Sequence, residues 1–98
     1  MIKKRFFKTR DECEVSFILQ PDNAQEVALL CEANGWEPIP MKQLKDGRFK
    51  TQLRLPINRE YQFLYLLDGE TWQNDEAADA YTSNTFGGDN SIVSTVRG

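Results

Sequence analysis

KDGRFKTQLRLPINREYQFLYLLDGE, running from Lys45 to Glu70, is the stretch whose reading decides the fold. In Arg48 to Leu55, the polar residues Arg48, Lys50, Gln52 and Arg54 alternate with Phe49, Thr51, Leu53 and Leu55, the two-residue period of a strand with one wet and one dry face. Asp46-Gly47 stands immediately before it. That dipeptide tolerates the positive φ of a tight hairpin turn, which predicts Met41 to Lys45 as an antiparallel partner. Pro56-Ile57-Asn58 breaks the run. Tyr61 to Leu67 then begins another, with Tyr61, Phe63, Tyr65 and Leu67 in phase, and Asp68-Gly69 behind it predicts a second hairpin.

The same pattern extends outward from this centre. Cys13, Val15, Phe17 and Leu19 are in phase and end at Gln20-Pro21-Asp22-Asn23, and Ser91 to Val96 is a final β-branched run. Ala24 to Ala33 is helical by propensity, yet Val27, Leu29 and Cys31 also alternate. Neighbouring strands that need a pairing partner favour a strand there. Short strands every 8 to 12 residues with turns between them describe an antiparallel β-sandwich.

Composition bounds the function. The 98 residues, 40 % hydrophobic and 28 % charged, suit one globular domain. The chain has no histidine, the side chain most used for acid-base work and metal binding near neutral pH, so an enzyme is not expected. A net charge of -3 argues against a nucleic-acid partner. The first ten residues nonetheless hold five cations, Lys3, Lys4, Arg5, Lys8 and Arg10, and no acid. Residues 1–9 are therefore expected as a basic arm or edge strand, and 10–98 as a single sandwich domain. No apolar run approaches a membrane span or follows the basic start as a signal peptide would, which predicts a cytoplasmic protein with no membrane partner. Cys13 and Cys31 are too few and too far apart for a disulfide framework or a zinc site, and read as buried thiols.

Two tryptophans stand on turns. Trp36 follows Asn34-Gly35, and Trp72 follows Asp68-Gly69, both among polar neighbours. Such indoles are either a stacking platform for sugar faces, with neighbouring amides on the hydroxyls, or hinge-packing aromatics. Thr85-Phe86-Gly87-Gly88-Asp89-Asn90 lacks the Lys-Ser/Thr of a phosphate loop, so its glycines are expected to let the backbone turn sharply, leaving Asn90 to offer donor and acceptor. The acids Asp75, Glu76 and Asp79 are expected as a solvated face, with no metal, cofactor or catalytic residue assigned.

Taken in order, Val15-Ser16-Phe17, Asn34-Gly35-Trp36, Asp46-Gly47-Arg48-Phe49, Tyr61-Gln62-Phe63-Leu64-Tyr65-Leu66-Leu67-Asp68-Gly69, Trp72 and Phe86-Gly87-Gly88-Asp89-Asn90-Ser91-Ile92-Val93 resemble a known module. It is the starch- and glycogen-binding module of the isoamylase N-terminal early-set type, similar also to the glycogen-binding domain of the AMP-activated protein kinase β subunit. The resemblance covers about residues 10 to 96, and small bacterial stand-alone forms share the basic start. It implies an immunoglobulin-like sandwich that binds α-1,4-linked glucan, such as glycogen or maltooligosaccharides, without catalysis. By motif position it implies stacking by Trp36 and Trp72, hydroxyl contacts from Asn90 and an apolar insertion by Phe86. Leu64 stands where the family often carries Lys or Arg, which favours the alternative of a protein-interaction or regulatory subunit that has lost sugar binding. A glycogen-metabolising enzyme is the partner that this resemblance implies.

Overall fold

A computed structural model of the chain describes residues 1–85 and 87–97. Among these described residues ten strands follow one another: β1 (Ile2–Phe6), β2 (Glu12–Leu19), β3 (Val27–Cys31), β4 (Ile39–Pro40), β5 (Lys42–Gln43), β6 (Phe49–Pro56), β7 (Glu60–Leu67), β8 (Thr71–Gln73), β9 (Ala80–Ser83) and β10 (Asp89–Ser94), with a 3-10 turn at Glu32–Asn34. They form two antiparallel sheets, ordered β1-β2-β6-β5 and β4-β3-β7-β10-β9, with β8 also on β7. The sheets pack as an immunoglobulin-like β-sandwich. Within Ala24 to Ala33, Val27–Cys31 resolves as a strand with Val27, Leu29 and Cys31 turned inward, and Glu32 and Ala33 enter the 3-10 turn. No helix among the described residues is long and apolar enough to cross a membrane.

The core is the set of in-phase positions. Cys13, Val15, Phe17, Leu19, Phe49 and Leu55 come from one sheet, and Val27, Leu29, Tyr61, Phe63, Tyr65 and Val93 from the other. Phe17 bridges the sheets edge-on to Phe63, with ring centroids 5.0 Å apart, and Phe63 meets Tyr65 at 5.7 Å. Cys13 and Cys31 are free and buried, and burial pushes both thiols up.

The turns follow their residues. Asp68 and Gly69 both take positive φ, 52° and 71°, the geometry of a two-residue hairpin. The Asp68 Oδ1 also accepts the N–H groups of Gln25 and Glu26 at 2.9 Å, tying this turn to the β2–β3 connection. The expected Met41 to Lys45 partner is shorter than its pattern suggested. Only Lys42 and Gln43 pair with β6, because the chain crosses between sheets at the buried Met41, whose N–H donates to Val27.

Asp75 corrects the expectation of a solvated acid cluster. Its side chain is 1 % exposed and accepts hydrogen bonds from the Tyr65 hydroxyl at 2.6 Å and the Met1 ammonium at 2.9 Å on Oδ2, and from the Ala77 N–H at 2.8 Å on Oδ1. A buried carboxylate is tolerable only with such partners. It joins the start of one sheet to the centre of the other.

Burial, reinforced by the hydrogen bond and charge of Asp75, holds the Tyr65 phenol far above the ordinary tyrosine range. Asp75→Ala leaves that hydroxyl unpaired and is expected to lower unfolding free energy by about 3 kcal/mol, with Tyr65→Phe costing about 2 kcal/mol, both read from urea midpoints. Because the folded pKa is raised, the neutral phenol's contribution is fully present below the unfolded value of about 10 and is lost as pH rises above it. Stability measured up the alkaline limb should therefore fall less steeply in Tyr65→Phe than in the wild-type chain.

Candidate functional site

β7 carries two sets of side chains. Its odd positions enter the core, while Gln62, Leu64 and Leu66 face outward and are only partly buried. β10 pairs with β7 from Glu60 to Phe63, and β8 pairs with it from Tyr65 to Leu67. Leu64 therefore sits at the fork where the two neighbours diverge. The fork opens a groove of about 900 Å³, floored by Leu64 and its cross-strand partner Leu30.

Trp72, on β8, borders the groove and is 55 % exposed. Trp36 borders it too, half-buried. The 3-10 turn ends in two consecutive left-handed residues, Gly35 at φ 74° and Trp36 at φ 64°, and the Trp36 N–H donates to the Cys31 carbonyl at 3.0 Å. A bulky residue in that region costs about 1–3 kcal/mol, held here by the turn.

Amides on the polar side of the groove pair with one another. The Asn90 Nδ2 donates to Gln62 Oε1 at 2.9 Å, while Asn90 Oδ1 accepts from Asn84 Nδ2 at 3.2 Å. Asn84 Oδ1 in turn accepts the Gly88 N–H at 3.1 Å, and the Ser91 hydroxyl donates to Asn74 Oδ1 at 2.7 Å. Asn90 is 9 % exposed. Asp89 is the one ionisable residue among those lining the groove. The described residues hold no group of three or more His, Cys, Asp or Glu placed for a metal ion.

Trp36, Leu64, Trp72 and Asn90 thus come together in one groove, while Phe86 lies outside the described residues. The expected function does not follow from that grouping. The aromatic cluster that this chain builds is Phe17, Phe63 and Tyr65, and it is internal, with all three rings fully buried. Among the described residues no aromatic cluster is presented as a surface on which sugar faces stack, and the reading as a binding module for α-1,4-linked glucan is corrected accordingly. The physical reason is strand parity: the aromatics of Tyr61 to Tyr65 fall on the inward positions.

Leu30, Gln62 and Asn74 were not singled out from sequence. Leu30 carried a usable signal, an apolar residue out of phase with Val27, Leu29 and Cys31, as did the outward leucines that make Tyr61 to Leu67 an almost unbroken apolar run. Gln62 and Asn74 carried none, since their partners Asn90 and Ser91 are 28 and 17 residues away. Compared with protein-family models and with curated proteins, the chain matches none.

Proposed function

We propose that this chain is a non-catalytic protein-interaction module whose groove receives an apolar side chain from a polypeptide segment. The observation that carries the reading is the pairing of Asn90 with both Gln62 and Asn84, which engages these rim amides with one another and leaves Leu64 and Trp72, beside the buried Leu30, as the apolar surface on offer. Apolar floor with an exposed indole at its border is the composition of an interaction hot spot, where one anchoring side chain dominates affinity. A polyol would compete with bonds that those amides already make to one another, whereas an aliphatic or aromatic anchor does not. Kinship with the early-set module is proposed for the scaffold only. A cytoplasmic setting accords with two unpaired, buried thiols.

Selection of peptides from a random displayed library against the folded chain tests this, followed by fluorescence anisotropy of the recovered sequences. Recovered peptides should share an apolar anchor, bind with dissociation constants of about 1–100 μM, and lose at least about tenfold in affinity with Trp72→Ala or Leu64→Asp. Affinity unchanged in both variants, or displacement of the peptide by maltoheptaose, contradicts the proposal.

A further inference from the structure

β1 is the terminal strand of its sheet, paired on one side only. The groups it leaves free follow from its ladder. Met1 and Ile18 exchange both backbone bonds, at 2.6 and 2.8 Å, and Phe7 donates to Glu12. Hydrogen-bonded pairs alternate along an antiparallel ladder, so Lys3 and Arg5 spend their backbone groups on β2. Ile2, Lys4 and Phe6 direct theirs to the open edge.

The outer face beside that edge is cationic. Register places Lys3 and Arg5 of β1, Lys50 and Arg54 of β6, and Lys42 of β5 on the side opposite the core. Glu12 and Glu14 of β2 share that face, giving +5 - 2, or +3, in a chain whose total is -3. None of the five cations forms an ion pair among the described residues. Arg5 and Arg54 are instead held over the Phe7 ring, at 5.4 and 5.0 Å, which fixes their heads before any partner arrives.

We infer that the free edge of β1 accepts an extended, acidic polypeptide segment as an added strand. The backbone of the segment would pair with Ile2, Lys4 and Phe6, and its carboxylates on the outer face would stand beside Lys3 and Arg5. Opposite charges directly across a strand pair stabilise it, and like charges oppose it. A second copy is the wrong occupant. Antiparallel pairing of two β1 strands centred on Lys4 sets Lys4 against Lys4 and Lys3 against Arg5, the arrangement by which edges resist self-association. A nucleic acid has phosphates for the cations but no N–H and C=O ladder for the edge. This site lies on the other sheet from the groove and does not depend on it.

The test is a two-dimensional NMR titration of the labelled chain with a capped peptide of alternating Glu and Thr, at low salt. Binding in the range of about 0.1–1 mM is expected, with shifts confined to β1 and β2 and slowed exchange of the Ile2, Lys4 and Phe6 amides. Raising salt from about 20 to 200 mM should weaken it at least about tenfold. Lys4→Pro removes an edge N–H without touching the ladder to β2 and should abolish binding, whereas Lys4→Ala retains it. Should Lys4→Pro fail to fold, the double substitution Lys3→Glu with Arg5→Glu must abolish binding instead, and Trp72→Ala must leave it unchanged. Absence of binding at millimolar peptide, binding without protection of the edge amides, or equal binding of an oligothymidylate of the same charge overturns the inference.

Discussion

The parity of β7 is the constraint on which the rest of the molecule depends. Its odd positions, Tyr61, Phe63, Tyr65 and Leu67, are buried, and its even positions face the other way. A strand has only two faces, so placing the aromatic residues inward simultaneously builds the core and gives the outer surface to Gln62, Leu64 and Leu66. A slip of one residue would exchange the two sets. What resists the slip is Tyr65, whose ring packs on Phe63 and whose hydroxyl is bound by the buried Asp75.

The two faces then diverge in chemistry. On the sheet built around β7, the fork between β8 and β10 leaves the partly buried Leu64 and an exposed indole beside amides paired to one another. On the opposite sheet, Ser16 and Ile18 lie on the outer face yet are only 8 % and 5 % exposed, with Lys3 and Gln52 beside Ser16 and Lys50 beside Ile18 in register. One side offers apolar surface and the other cationic surface with a free strand edge.

Much of the fold was legible in the sequence because it is local. Alternation in Arg48 to Leu55 and Tyr61 to Leu67, and the paired positive φ values of Asp68-Gly69, are written in neighbouring residues. Pairing of Met41 to Lys45 was overstated, since alternation does not reveal that Met41 must carry the chain between sheets. The groove residues Trp36, Leu64, Trp72 and Asn90 were legible as a group, but the function read from them was not. That function depended on whether aromatic rings cluster outside or inside, and on whether the Asn90 amide is free, both set by long-range pairing. Asp75 was the least legible residue. Its partners lie 10 and 74 residues away, and nothing in its Ala-rich surroundings marks it as buried.

The most direct test of this account is photochemically induced nuclear polarisation with a flavin dye, which reports only the tyrosine and tryptophan rings that solvent can reach. Inward aromatics on β7 predict a strong Trp72 signal, a Tyr81 signal, and silence from Tyr61 and Tyr65 in the native chain, with all of them appearing on unfolding. A native Tyr65 signal would contradict the parity of β7, and with it the placement of both the core and the groove.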